Sequence, residues 1–159
     1  MQYSPAATWT YRKESKDADT KVCSATYRCR ISEPCLPGGT CLPTGFAQIS
    51  PRGSVQIYDD DHISFWDRGG GSTAAGLIDG SKVTIYFHNP ELMPAGVLPA
   101  GGIARFYGEA AIHKDDPIAQ RIWDHLVQPE KDRDPERKGS AVLVRVERSE
   151  DLLGRPLAD

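Results

Sequence analysis

Five segments of this chain alternate apolar and polar residues, and the first two are separated by only three residues. That pattern constrains the fold more than any other feature. Ser54-Val-Gln-Ile-Tyr58 and His62-Ile-Ser-Phe-Trp66 flank the acidic cluster Asp59-Asp60-Asp61, which reads as the turn of a β-hairpin. Lys82 to His88 puts Val83, Ile85 and Phe87 on one face, as a half-buried strand requires. Ile103 to Ile112 sets Ala104, Phe106, Gly108 and Ala110 against Arg105, Tyr107 and Glu109. Ala141 to Glu147 aligns Val142, Val144 and Val146. Alternating strands, the first two joined by a tight turn, favour antiparallel pairing over a doubly wound parallel sheet. The expectation is a mainly β (α+β) chain of six to seven mostly antiparallel strands with two to three short helices, curled into a small closed or half-closed barrel.

The remaining segments fill in around these strands. Ser72 can cap a short helix through Ala74, Ala75, Leu77 and Ile78, with Gly80 as its stop. Asp116 caps a second, with Pro117 at the first helical position. Ile118, Ile122 and Leu126 then recur every fourth residue, and Trp123 and Val127 widen the stripe. Residues 129–138 are charged and read as a loop. Phe46 to Ser50 is a short apolar stretch stopping at Pro51, and Pro43-Thr44-Gly45 before it suits a tight turn. Residues 1–34 show no period and are expected to be an extension preceding a single domain of residues 35–159.

Composition narrows the classes of function. At 159 residues the chain can bury a core without staples. Nineteen basic and twenty-two acidic side chains give a net charge of -3, without a basic tract, which argues against nucleic acid as partner. No apolar run approaches the ~20 residues of a membrane span, and Met1 to Ser15 lacks a signal-type stretch, so the cytoplasm is expected. Cys23, Cys29, Cys35 and Cys41 fall at six-residue intervals. Zinc sites pair cysteines two to four residues apart, so these are read as unpaired thiols and no metal site is expected.

Two segments carry chemistry. In Asp67-Arg-Gly-Gly-Gly-Ser-Thr73 the glycines free backbone N–H groups to approach an anion, and the helix that follows points its positive end there. Arg68 adds charge, and Ser72 and Thr73 add hydroxyls; phosphate is the natural anion. Ser50-Pro-Arg-Gly-Ser54 is a second cationic, hydroxyl-bearing turn, in which Arg52 suits a bidentate phosphate contact. His62, His88, His113 and His125 form no metal pair and no nucleophile arrangement, and are expected to be structural or exposed.

In this order the segments resemble the FMN-binding half of the pyridoxamine 5'-phosphate oxidase-like split barrels. The resemblance runs through Ser50-Pro51-Arg52-Gly53-Ser54, the Asp-rich turn, the strand ending Phe65-Trp66, and the Gly-rich Ser72-Thr73. It continues in Gly102-Ile-Ala-Arg-Phe-Tyr-Gly108-Glu-Ala and the exit tail from Val144 to Leu157. It implies FMN as cofactor and a homodimer with FMN in clefts between subunits. It also implies a flavin-dependent oxidoreductase acting on a small molecule. Ser50, Arg52, Ser54, Gly71, Ser72 and Thr73 would hold the ribityl phosphate. Ser64 to Asp67 would lie along the ring, with Trp66 as stacking partner and Arg105 and Tyr107 orienting substrate or the pyrimidine edge. Rival readings are a non-catalytic flavin carrier or sensor, and a deazaflavin- or haem-binding relative. The chain departs from the family in Cys35-Leu-Pro-Gly-Gly-Thr-Cys41, a first strand expected to pair poorly. It also has Ala74-Ala75-Gly76 where relatives carry a basic or amide side chain.

Overall fold

The computed structural model describes residues 36–41, 47–69, 77–94, 96 and 98–157. They form one seven-stranded antiparallel sheet in the order β2-β1-β5-β6-β7-β4-β3. The strands are β1 Leu36–Cys41, β2 Ala47–Arg52, β3 Gln56–Ile57, β4 His62–Asp67, β5 Lys82–His88, β6 Ile103–His113 and β7 Ser140–Asp151. Among the described residues there are also three short α-helices, α1 Pro99–Gly102, α2 Pro117–His125 and α3 Gln128–Asp132, and a 3-10 turn at Pro90–Leu92.

Strand order explains the shape. β2 and β3 sit at opposite edges of the sheet, yet only residues 53–55 join them. The edges must therefore meet at that turn, and the sheet curls round without a ladder to close it. This is a split barrel. Ile63, Phe65, Val83, Ile85, Phe87, Ala104, Phe106, Ala110, Val142 and Val144 fill its interior. Leu92 and Leu98, from the segment between β5 and β6, pack into the same core. A β-bulge sets the face of the last strand: Tyr107 lies opposite Arg148 and Gly108 opposite Val146, leaving Glu147 unpaired. Val144 faces inward before the bulge, and Ser149 and Asp151 are buried after it, because one extra residue inverts the alternation. Glycine is required at position 108, where a Cβ would come within 2.2 Å of Arg145 O.

A second core lies outside the sheet. Asp116 caps α2 by accepting from Ala119 N–H at 2.7 Å, with Pro117 following, as its sequence dictates. Ala119, Ile122 and Leu126 of this helix pack on Trp66 and Ala141. Trp66 and Trp123 meet edge to face, with centroids 4.9 Å apart.

Several expectations are corrected. The Pro- and Gly-rich segment forms a six-residue strand paired along its whole length with β2, and with β5 at Gly38, Gly39 and Thr40. Ladder bonds come from the backbone, and Pro37 falls outside the stretch that pairs with β5, so its missing N–H removes no bond there. β2 likewise runs through Pro51 to Arg52, which an edge strand tolerates. β3 is only two residues long, and β7 extends to Asp151. Residues 128–132 are helical rather than loop, with Pro129 in the first turn. Leu77 and Ile78 are not helical, and Gly80 (φ +81) sits in a turn bonded from Ser81 N to Ile78 O. The rest of the helix expected from Ser72 lies outside the described residues, as do the 1–34 extension, the Pro43–Gly45 turn, Cys23, Cys29 and Cys35. Among the described residues no helix is long and apolar enough to cross a membrane.

Candidate functional site

β2 ends at Arg52 and β4 ends at Asp67, and no ladder joins the two strands. Ser54 supplies the link. Its hydroxyl accepts from Trp66 N–H and donates to Trp66 C=O, both at 3.1 Å, so one side chain stands in for a neighbouring strand. Anchoring the turn this way brings Arg52 beside Asp67, with Nη1 to Oδ1 at 3.3 Å. The guanidinium lies 5.1 Å from the centroid of the core residue Phe65, which places it at the barrel rim. Both side chains of the pair are 13% exposed, so their charges act in a medium less screening than water.

The α3 segment braces this rim from behind. Glu130 is buried against Gly53, where a Cβ would come 2.5 Å from Glu130 Oε1. Arg133 answers its charge with Nη1 2.8 Å from the same oxygen. Asp134 accepts from Trp66 Nε1 at 2.8 Å, Gly139 N at 2.9 Å and Lys138 N at 2.9 Å. Burial pushes its pKa up, but those three donors and the charge of Arg68 together pull it below the ordinary carboxyl range. Gly139 must lack a side chain because a Cβ there would lie 2.4 Å from Asp67 O. Carboxylates thus sit close to the cations: Asp67, Glu130 and Asp134 beside Arg52, Arg133 and Arg68.

The residues expected at the site divide accordingly. Arg52, Gly53, Ser54, Asp67 and Arg68 come together at the rim, with Ser50 half-buried in β2 and Pro51 exposed beside it. Ser54 has given its one hydroxyl proton to Trp66 C=O, so it has none to donate to a phosphate and it positions the turn. Trp66 is 4% exposed and its ring is engaged by Trp123 and Asp134, which makes it a packing residue. Arg105 stands on the opposite face of the sheet from the inward-facing Ala104 and Phe106. Its Nη2 donates to Asp151 O at 2.7 Å and to Leu152 O at 2.9 Å, so it ties β6 to the C-terminal turn. Gly71, Ser72 and Thr73 lie outside the described residues. Glu130 and Asp134 were missed in a stretch read as charged loop, and Gly139 just after it was not singled out. Pro129 followed by Glu130 is a helix-start signal that would have pointed to α3.

Arg52 keeps donors beyond its contact with Asp67. A guanidinium carries five N–H donors in a planar fork, and the contact with Asp67 engages one nitrogen at the long end of hydrogen-bond range. A hollow of about 30 Å³ between β3 and α2, lined by Gln56, Tyr58, Ser64, Arg121 and Ile122, has room for a water but not for a flavin.

No family model matches the sequence, and no curated protein matches it. Solved structures do. A Clostridium acetobutylicum protein related to general stress protein 26, of the pyridoxinephosphate oxidase family, is 14% identical with a TM-score of 0.56 over 82% of this chain and 87% of its own. An FMN-binding protein from Syntrophomonas wolfei gives the same identity and TM-score over 82% and 86%. An F420 reductase is 15% identical, with a TM-score of 0.51 over 78% and 95%. At these identities the likeness shows the fold: the chain has the split-barrel architecture of the pyridoxamine 5'-phosphate oxidase-like structures.

Proposed function

We propose that this chain binds FMN with the ribityl phosphate at the Arg52 turn, and acts as a flavin-dependent oxidoreductase on a small organic substrate. One observation carries the reading: Ser54 fixes Arg52 at the rim of a barrel whose solved counterparts include an FMN-binding protein. Bound flavin would supply the hydride chemistry, which is why no nucleophile or general base is needed. The protein's share is to bind and orient the cofactor. Arg52 neutralises phosphate charge, Ser54 and Asp134 hold the turn and the end of β4, and Gly53 and Gly139 allow the close packing behind them. Gly71, Ser72 and Thr73 complete the phosphate site in this reading.

A homodimer follows from the same reading. The outer face of β5 and β6 presents Tyr86 and Tyr107, half-buried, with Arg148 stacked 4.0 Å over Tyr107. Exposed Ile49, Met93, Leu152 and Leu153 add apolar surface that a second copy could cover. The likeness to an F420 reductase supports a second reading, with deazaflavin in the same cleft.

The visible absorption spectrum of the purified protein, before and after addition of FMN or of F420 and gel filtration, tests this. A retained flavin band that weakens in Arg52→Ala supports the proposal. Retention of F420 but not FMN would transfer it to the deazaflavin reading, and retention of neither would remove the redox assignment.

A further inference from the structure

Asp67 is the carboxylate beside Arg52. Its Oδ1 takes the Arg52 guanidinium at 3.3 Å and the Gly69 N–H at 3.2 Å. The other rim carboxylates have close partners of their own: Glu130 has Arg133, and Asp134 has the Trp66 indole and two backbone N–H groups. Of the three rim carboxylates, Asp67 therefore has the longest contacts, and its one contact with Arg52 joins two nearly buried charges. An incoming phosphate must share or take the guanidinium from a carboxylate that also repels it, whereas a neutral hydroxyl tail meets no such opposition.

We propose that Asp67 is a specificity-determining residue: it competes with the ligand's phosphate for Arg52, and so sets how strongly a phosphomonoester tail is preferred over a neutral one. The inference rests on the phosphate assignment made above. Asp67→Asn isolates the charge, because the amide oxygen still accepts from Gly69 N–H and Arg52.

Fluorescence-quenching titrations with FMN and with riboflavin, on the wild type, Asp67→Asn, Arg52→Ala and the double variant, test it. Asp67→Asn is expected to tighten FMN by about tenfold while riboflavin stays within about twofold. In the Arg52→Ala background the same substitution should tighten FMN by less than about threefold. If FMN and riboflavin shift together, or Asp67→Asn weakens FMN, Asp67 is a supporting residue and the proposal fails. If Arg52→Ala leaves FMN affinity unchanged, the phosphate assignment itself fails. Weakening by Arg52→Ala without tightening by Asp67→Asn refutes the competition alone. Should Asp67→Asn not fold, Asp67→Ser keeps a short acceptor without the charge and is read the same way.

Discussion

Two arginine–aspartate pairs in this molecule use the same side chains for different ends. Asp151 is 1% exposed and accepts from Leu153 N at 2.8 Å, Arg155 N at 3.0 Å and Arg155 Nε at 2.7 Å. Arg155 Nη2 adds a further 2.7 Å contact. Asp67 makes contacts of 3.2 and 3.3 Å at the rim. A carboxylate surrounded by short donors is part of the scaffold, because removing it strands those donors. A loosely held one beside an arginine leaves that arginine with something to exchange. Saturation, rather than residue type, separates the C-terminal turn from the candidate site.

Substitutions can break that contrast. Asp151→Ala should have the largest effect, lowering the thermal midpoint by roughly 10 °C while leaving the affinity of the folded protein for FMN unchanged. Scanning calorimetry with a parallel FMN titration measures both. Arg52→Ala should do the reverse, weakening FMN by about 10- to 100-fold and moving the midpoint by less than about 2 °C. An equal loss of stability in both variants would erase the distinction.

Acid should act on the saturated carboxylates. Burial raises the Asp151 pKa, but the Arg155 side chain and the backbone N–H groups of Arg155 and Leu153 lower it further, and Asp134 is depressed in the same way. Depressed folded-state values mean that their stabilisation is complete above the unfolded aspartate pKa of about 3.9, and is lost as pH falls through the folded values below it. Denaturant titrations from neutral pH into that range should show a shallower acid limb for Asp134→Asn and Asp151→Asn than for the wild type. The smallest effect is expected at Gly53→Ala, where the crowding atom is the carboxylate end of the Glu130 side chain rather than backbone. A cost of at most about 1 kcal/mol in urea unfolding is expected.

The same contrast marks what the sequence could and could not disclose. Val83, Ile85 and Phe87, and the run from Ala104 to Ala110, announce their strands because period-two burial is written in side-chain type. Asp116-Pro117 announces α2 for an equally local reason. β1 is hidden because Pro37, Gly38 and Gly39 have poor strand propensity, while its pairing rests on backbone groups supplied by β2 and β5. The bulge at Glu147 leaves no local signature, since it depends on what β6 presents across the ladder. Glu130 and Asp134 look like solvated charge until Gly53 and Trp66 are brought against them. At the site, Arg52 and Asp67 were each legible as candidates. Their pairing was not, because it depends on Ser54 binding Trp66 across the gap between β2 and β4.

The central claim is that Arg52 reads a phosphate, and equilibrium titration of the wild type with FMN and riboflavin side by side tests it most directly. FMN is expected to bind at least about tenfold tighter than riboflavin, with the difference collapsing in Arg52→Ala. Equal affinities for the two in the wild type would contradict it.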